Sequence, residues 1–217
     1  SDSLVVVFGA DGIGKTTLLN EFTEGLGDDV CYAAFDETCV EGIQFFRSFL
    51  EQMGLGEIVG TLRELQHITS EYLVHRSKNG QHALILVDNA HLVRPAVLEQ
   101  LRWMAGVRVD FARAVSMVLA GSLSLQRVMD SPAMCSLRFC RQTNFHIRAY
   151  SQGETDEYIR HRLNLAGAPD SVKFPDESRA LIYRFTGGNP ARINALCHAV
   201  LEEACVQGTR IIAEQRV

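Results

Sequence analysis

The stretch Gly9-Ala10-Asp11-Gly12-Ile13-Gly14-Lys15-Thr16 decides the fold, because it fits the pattern G-x-x-x-x-G-K-[ST] between an apolar run, Leu4–Phe8, and a helical pattern, Thr16–Glu24. The glycines let backbone N–H groups turn inward around a phosphate, and the positive N-terminus of the following helix points at the same anion. Lys15 then reaches the β- and γ-phosphates, and the Thr16 hydroxyl ligates Mg²⁺. The stretch predicts a nucleotide site; the alternative is a glycine-rich turn that merely allows strand and helix to pack closely.

Apolar strands and helical patterns alternate over the first 150 or so residues. The strand patterns are Leu4–Phe8, Val30–Phe35, Ala83–Val87, Val115–Ala120 and the short Phe145–Ile147. The helical patterns between them are Thr16–Glu24, Gly42–Met53, Thr61–Arg76 and Pro95–Met104. Uninterrupted apolar strands indicate burial on both faces, and their alternation with helices predicts right-handed βαβ units and a parallel sheet. From Ser151 onward only helical patterns remain, so we expect an α/β domain over residues 1–150 and a helical domain over 151–217.

Composition limits the classes of function that the chain can have. The 217 residues are 47% hydrophobic and 22% charged, with 21 Lys and Arg against 26 Asp and Glu, a net charge of −5. That balance disfavours wholesale coating of nucleic acid but leaves a local basic patch open. No run reaches 18 apolar residues and no basic segment precedes the first strand, so we expect neither membrane insertion nor a secretory signal in this fragment. The missing initiator Met favours a domain of a longer protein.

The cysteines and histidines offer no metal-binding pattern. The six cysteines show no C-x-x-C pairing, and the seven histidines lack ligand spacing. We therefore predict no zinc site, and thiols that stay reduced.

A second motif, Leu84-Ile85-Leu86-Val87-Asp88, places an acid directly after four apolar residues. In open α/β sheets, ligands bind outside the carboxyl ends of the strands. We therefore expect Asp88 to face the same cleft as Thr16 and to hold Mg²⁺, through water. The next residue is Asn89, where an ATP-hydrolysing enzyme of this type has a glutamate that polarises the attacking water. An amide orients water but accepts a proton poorly, so Asn89 predicts slow or switch-like hydrolysis.

Other residues near the predicted site have more than one interpretation. A base other than residue 89, such as Asp11, Asp36 or Glu37, is the alternative to slow turnover. Ser122, after the fourth strand, either senses the γ-phosphate or caps the next helix. Arg192, in the first turn of the last helix after Asn189-Pro190, either folds over the phosphates or is an ordinary exposed arginine.

Residues 131–153 hold three arginines, Arg138, Arg141 and Arg148, and no acid. In an acidic chain this is a local positive segment. It can supply an arginine finger to a neighbour's nucleotide, contact nucleic acid phosphates, or form a solvated face.

The motif order resembles a known family. The loop Gly9–Thr16, the segment D-N-A-H at 88–91, VLAGSLSL at 118–125, SQGETDEYIRHRLNLAGA at 151–168 and TGGNPARINALCHAVLEEA at 186–204 resemble AAA+ ATPases of the general-secretion-pathway A type. This group of P-loop NTPases includes pilus-biogenesis and transposition helper ATPases. The resemblance covers nearly the whole chain, and the segments Thr155–Ala168 and Gly187–Cys197 are its most distinctive parts.

The resemblance implies a fold and a set of site residues. The implied fold is an αβα sandwich around a five-stranded, mostly parallel sheet, followed by a C-terminal helical lid, with ATP between core and lid and activity in oligomers. The residues implied to bind nucleotide are Gly9, Asp11, Gly12, Ile13, Gly14, Lys15, Thr16, Thr17, Ser122 and Arg192. The implied metal ligands are Thr16 and Asp88, and the implied catalytic residues are Lys15, Asn89, Arg138 and Arg141. The lid arginine of the family often follows the proline directly, where this chain has Ala191.

Together these features predict an ATP- and Mg²⁺-binding AAA+ domain. We expect a weakened ATPase that couples nucleotide state to assembly of a secretion or cell-envelope machine, with ATP or ADP and either further copies of itself or another protein as partners. We expect a cytoplasmic location, with anchoring of the full-length protein in the inner membrane left open. The alternatives are a DNA-associated transposition or replication helper, and a nucleotide-dependent interaction module that does not hydrolyse ATP.

Overall fold

The computed structural model describes residues 4–109, 112–131, 134, 142–168 and 172–214. Their contacts form two units: an α/β unit of residues 1–9 and 15–147, and a helical unit of residues 10–14 and 148–217. The elements of the α/β unit are β1 (Leu4–Gly9), α1 (Lys15–Glu24), β2 (Val30–Phe35), α2 (Ile43–Gln52), α3 (Leu62–Lys78), β3 (His82–Val87), α4 (Pro95–Ala105), β4 (Arg108–Val109), β5 (Ala112–Arg113), β6 (Val115–Gly121), α5 (Leu125–Met129) and β7 (Gln142–Ile147). The helical unit contains α6 (Gln152–Leu165), α7 (Asp176–Thr186) and α8 (Pro190–Val206).

Five strands of the α/β unit form one parallel sheet in the order β2-β3-β6-β1-β7, and the two-residue strands β4 and β5 pair separately. The predicted fold class, a five-stranded parallel sheet with flanking helices and a helical C-terminal part, is confirmed. The last strand is longer than predicted, because β7 pairs with β1 from Gln142 onward although its first three residues are polar.

Successive residues of the central strands pack on opposite faces of the sheet. In β3, Ile85 and Val87 join a core that includes the phenylalanines of α2, whereas Leu84 and Leu86 join a second core with Leu19 of α1. Side chains alternate along a strand, so a strand covered by helices on both faces must be apolar throughout. This explains the uninterrupted apolar runs in the sequence.

Strand β2 lies at one edge of this sheet, and a side chain covers part of its free backbone. The Ala34 N–H donates to Oε1 of Gln52 at 2.8 Å, and Gln52 Nε2 donates to the Ala34 carbonyl at 3.2 Å. Gln52 is the last residue of α2. The end of α2 is thereby bound to the sheet edge through two polar contacts.

The helical unit has its own small core, with Ile159, Phe174, Ile182, Ile193 and Val200 among its buried residues. Helix α6 begins with a capping box in which Ser151 and Glu154 satisfy each other's backbone N–H groups. Among the residues that the structure describes, no helix is both long and apolar enough to cross a membrane.

The turn between α7 and α8 depends on two glycines with left-handed backbone. Gly187 ends α7 at φ 60°, and Gly188 has φ 73°. A Cβ on Gly188 would lie 1.9 Å from the carbonyl oxygen of Tyr150. The backbone N–H of Tyr150 also donates to the Gly188 carbonyl at 3.0 Å. Only glycine fits where two backbones approach this closely.

Candidate nucleotide-binding site

Thr16 and Asp88, predicted from the two motifs to share a cleft, are in direct contact. The Thr16 hydroxyl donates to Oδ2 of Asp88, and Asp88 Oδ1 accepts the N–H of Asn89 at 2.8 Å. The contact forms because Thr16 lies in the first turn of α1 and Asp88 directly follows β3. A hydroxyl and a carboxylate are the hard oxygen donors that Mg²⁺ prefers, so the two residues fit the predicted metal.

Lys15 starts α1 and is buried, with only 6% of its surface exposed. Its Nζ donates to the carbonyl of Gly9, the last residue of β1, at 3.0 Å. Lysine is rarely buried without a polar partner. The contact holds the ammonium group at the end of the strand that leads into the phosphate-binding motif.

Asn89 links the ends of two neighbouring strands. Its Nδ2 donates to Oε2 of Glu37, two residues beyond β2, at 2.9 Å. Asn89 has φ 46°, the only positive φ of a non-glycine residue in the described part of the chain. Asparagine tolerates this left-handed conformation better than most residues. The residue therefore suits both the turn and the contact.

One cleft of about 880 Å³ in the α/β unit contains these groups. Thr16, Glu37, Asp88 and Asn89 all line it, together with residues of α1, β2 and α2. Cys39 lines it as well, and burial, followed by the charges of Asp36 and Glu41, raises the pKa of its thiol to about 11. A thiol with so high a pKa is not a nucleophile at neutral pH.

Ser122 directly follows β6 and contacts His91 and Ser124. Its N–H meets Nδ1 of His91 at 3.3 Å, and its hydroxyl lies 2.6 Å from the Ser124 hydroxyl. Helix α5 is preceded by Ser124, whose side chain makes no capping hydrogen bond, and the Leu125 N–H donates to the Ser122 backbone carbonyl at 2.9 Å. The role of Ser122 as a sensor of phosphate stays a prediction.

In the helical unit, the loop segment 10–14 contacts the start of α8. The Ala191 N–H donates to the Gly12 carbonyl at 3.1 Å, and Asn189 Nδ2 donates to the Asp11 carbonyl at 2.9 Å. A Cβ on Gly12, which has φ 74°, would lie 2.7 Å from the Ala191 Cβ. Gly12 is thus required for this contact as well as for its backbone conformation.

Of Arg192 and the three arginines of the predicted positive segment, the structure describes Arg192 and Arg148. Arg192 is exposed in the first turn of α8, and its N–H donates to Asn189 Oδ1 at 3.2 Å. Arg138 and Arg141 lie outside the described residues. Arg148 is engaged by Glu154 in two hydrogen bonds of 2.7 and 2.6 Å. These bonds, followed by the Ser151 N–H, lower the pKa of Glu154 to about 2.

The described cysteines and acids support no other metal site. Cys31, Cys39, Cys197 and Cys205 are free thiols, and within the described ranges no cluster of His, Cys, Asp and Glu is arranged to hold a metal ion. Cys135 and Cys140 lie outside those ranges.

The motifs predicted Thr16 and Asp88 together, but they did not predict the contact between Glu37 and Asn89. The contact depends on the register between the two strands, which the sequence patterns do not give. β2 and β3 pair in parallel with Phe35 opposite Val87, and two further steps in that register set Glu37 opposite Asn89. The hydrogen bond from Asn89 to Glu37 follows from strand pairing rather than from either motif alone.

Comparisons with known proteins give the family. A family model described as an AAA domain matches residues 1–129, more than half of the chain. Among curated proteins, General secretion pathway protein A of Aeromonas hydrophila is 29% identical over 151 residues, which is 70% of this chain and 27% of that protein. The chain thus spans about a quarter of this relative.

Solved structures share the fold at low identity. Cdc6p from Pyrobaculum aerophilum has a TM-score of 0.71 at 16% identity, covering 99% of this chain and 59% of that one. The ORC2 protein of Aeropyrum pernix has a TM-score of 0.65 at 17% identity, covering 99% of this chain and 60% of that one. The Thermotoga maritima RuvB Holliday junction branch migration motor has a TM-score of 0.61 at 18% identity, covering 99% of this chain and 59% of that one. At these identities the likeness concerns the fold alone. With the family match and the geometry of Thr16 and Asp88, we conclude that the chain belongs to the AAA domain family and is an AAA+ ATPase domain.

Proposed function

We propose that this domain binds ATP with Mg²⁺ and hydrolyses it, and that its nucleotide state controls assembly of a secretion or cell-envelope machine. The carrying observation is the contact between Thr16 and Asp88, which brings a hydroxyl and a carboxylate together beside the phosphate-binding motif. Bound there, Mg²⁺ supplies the positive charge that neutralises phosphate oxygens during phosphoryl transfer. In this proposal residues 1–150 form the nucleotide-binding core and residues 151–217 the lid.

The proposed biological context comes from the relative. General secretion pathway protein A of Aeromonas hydrophila is similar over 70% of this chain, which supports a secretion-related role. We place the domain in the cytoplasm, because an ATP-driven role requires ATP and because reduced thiols are typical of that compartment.

DNA binding is less well supported than a role in secretion. Of the three arginines in the acid-free segment, Arg148 is paired with Glu154, so its charge is partly neutralised. The net charge of the chain is −5. A DNA-associated helper would show binding to DNA that weakens steeply with salt.

An interaction module that binds ATP without hydrolysing it is the second candidate function. The observation that favours it is Asn89, whose amide takes the position of a proton-accepting carboxylate. A turnover assay with Mg²⁺ and ATP distinguishes the two functions directly.

The first experiment tests nucleotide binding by thermal unfolding. At ATP and Mg²⁺ concentrations near 100 times Kd, mass action stabilises the protein by about 2.7 kcal/mol. Lys15→Ala should remove most of the resulting increase in Tm, because Lys15 is the predicted phosphate ligand. Lys78→Ala, which alters an exposed lysine at the end of α3, is the matched control and should keep the increase. An equal increase in the Lys15→Ala protein would contradict the proposed site.

Self-association is the second part of the proposal. A non-hydrolysable ATP analogue should increase the mass measured by light scattering, with Arg138 or Arg141 reaching the phosphates of a neighbouring copy. Alanine at either position should leave the nucleotide-induced rise in Tm of the dilute protein intact and weaken self-association. A protein that stays monomeric at high concentration with the analogue would count against oligomeric action.

A further inference from the structure

We propose that Glu37 is the general base of ATP hydrolysis and that Asn89 is the residue that positions it. This inference rests on the proposed function and names the group that takes the proton of the attacking water. The predicted metal ligand Asp88 and its neighbour Asn89 lie at the end of β3, and Glu37 lies beyond the end of the adjacent strand β2.

Geometry distinguishes Glu37 from the neighbouring acid. The Glu37 carboxylate accepts a hydrogen bond from Asn89 Nδ2 at 2.9 Å and lines the same cleft as Thr16 and Asp88. Asp36, also in the cleft, uses its Oδ1 to accept both the N–H of Thr38, at 2.8 Å, and the Thr38 hydroxyl, at 2.6 Å. The Asp36 carboxylate thus holds the turn after β2, whereas the Glu37 carboxylate is held toward residue 89.

The proton-accepting carboxylate follows β2, at Glu37, and the amide that orients it follows β3, at Asn89. A carboxylate accepts a proton that an amide does not, and an amide N–H holds a carboxylate in one orientation. The side chain that lacks basicity, Asn89, therefore donates to the side chain that has it, Glu37. The left-handed backbone of Asn89 favours asparagine at this point, which leaves the neighbouring strand to supply the base.

The proposed step is an in-line displacement. The water oxygen forms a bond to the γ-phosphorus, while the bond from that phosphorus to the β–γ bridging oxygen breaks and its electron pair leaves with ADP. One proton of the water passes to the Glu37 carboxylate, which later releases it to solvent. General-base assistance of this kind contributes about 10²–10⁴-fold to a rate.

The decisive variant is Glu37→Gln, which keeps the size of the side chain and an oxygen that accepts from Asn89. We expect kcat to fall about 10²–10⁴-fold, while KM and the ATP-induced rise in Tm stay unchanged. Glu41→Gln is the matched control: Glu41 follows on the same loop and is paired with Arg94 at 3.0 Å, so turnover should not change. Asp36→Asn tests the other acid of the loop after β2 that lines this cleft and should not reproduce the loss.

Because Asn89 is proposed to position the base rather than to bind ATP, its variants should lower kcat and leave KM unchanged. Asn89→Asp keeps the size and tolerates the left-handed backbone, but it removes the N–H donor and sets a second carboxylate against Glu37. We expect kcat to fall by about tenfold, with KM and the ATP-induced rise in Tm unchanged. Asn89→Gly, which relieves the backbone and also lacks the donor, should lower kcat similarly. Asn89→Glu should not raise turnover; an increase would show that residue 89, not Glu37, faces the water.

Failure of this inference is distinguishable from failure of the proposed function. Absence of ATP binding by the unaltered chain would overturn the function and, with it, the role of Glu37. ATP binding without turnover would favour the interaction module and overturn the general base. Binding and turnover that both persist in Glu37→Gln, or a comparable loss in Asp36→Asn alone, would overturn the role of Glu37 and leave ATP hydrolysis standing.

Discussion

In the α/β unit the polar side chains Glu37, Asp88 and Asn89 lie just beyond strand ends, whereas in the helical unit Ser178 and Arg179 are buried. Two ion pairs make the difference measurable. The side chains of Arg94 and Glu41, in the α/β unit, are 60% and 42% exposed, and those of Arg179 and Asp156, in the helical unit, are 11% and 24% exposed. The exposed pair remains accessible to solvent, while the buried pair is committed to holding the fold. Substitutions in the two units should therefore affect different measurements.

The largest expected effect is at the glycine pair of the helical unit. Gly188→Ala places a Cβ 1.9 Å from the Tyr150 carbonyl oxygen and should lower the free energy of unfolding by about 3–5 kcal/mol. Gly187→Ala also forces a left-handed residue, but nothing lies within 4 Å of its Cβ, so it should cost about 1 kcal/mol. Urea unfolding followed by circular dichroism measures both. Equal losses would show that backbone conformation, not the close approach to Tyr150, dominates.

The ion pairs give the next largest contrast. Arg179→Met leaves Asp156 without its partner, at 3.3 Å, and removes the hydrogen bond to the Phe174 carbonyl. We expect a loss of about 3 kcal/mol, the low end for a buried pair because Asp156 still reaches water. Arg94→Met removes an exposed pair and should change stability by less than about 1 kcal/mol. The same urea experiment measures both, and similar values would remove the contrast between the two units.

Asp88→Asn should change binding without changing the fold. The amide oxygen still accepts from the Asn89 N–H, and the amide NH₂ donates to the Thr16 hydroxyl in place of the oxygen that accepted from it, so the free energy of unfolding should stay within about 0.5 kcal/mol of the original. The lost negative charge should weaken Mg²⁺-dependent ATP binding by at least about tenfold, or 1.4 kcal/mol. Calorimetric titration with and without Mg²⁺ tests this. Unchanged binding with reduced stability would mean that Asp88 is structural, as the polar groups of the helical unit are.

The smallest effect concerns the capping boxes at the starts of α6 and α3. Glutamine preserves a capping box, so Glu64→Gln removes only a charge, whereas Glu154→Gln also removes one of the two oxygens that accept from Arg148. Hydrogen bonds from Arg148 and Ser151 lower the pKa of Glu154 from 4.5 to about 2, and hydrogen bonds from Thr61 lower the pKa of Glu64. A lowered pKa in the folded state stabilises the fold above pH 4.5, and this stabilisation disappears as the pH falls through the folded-state value.

The loss of Tm caused by Glu154→Gln should therefore be greatest near neutral pH and shrink between pH 4.5 and about 2. Glu64→Gln, which has no arginine partner, should show a weaker dependence on pH. A loss that does not vary with pH would indicate that the Arg148 contact does not persist in solution.

The sequence predicted the main strands because each is an unbroken apolar run. It predicted that Asp88 faces the same cleft as Thr16 because ligands of open α/β sheets bind outside the carboxyl ends of the strands. It gave no bounds for the helix after the fourth strand, α5, which has only five residues, and it missed the two-residue strands β4 and β5, because elements this short show no periodicity. The Asn89–Glu37 bond depends on strand register, and the approach of Gly188 to Tyr150 depends on tertiary packing. Neither is visible in local patterns of hydrophobicity.

The hydrogen bonds of Gln52 to the edge strand bear on the solubility of the protein. An exposed sheet edge with unpaired N–H and C=O groups is a template on which another chain can add a strand, and such additions lead to aggregation. An incoming strand would have to displace the Gln52 side chain from both backbone groups of Ala34 before pairing there. The carboxamide thus hinders the pairing of another strand at the Ala34 position of this edge.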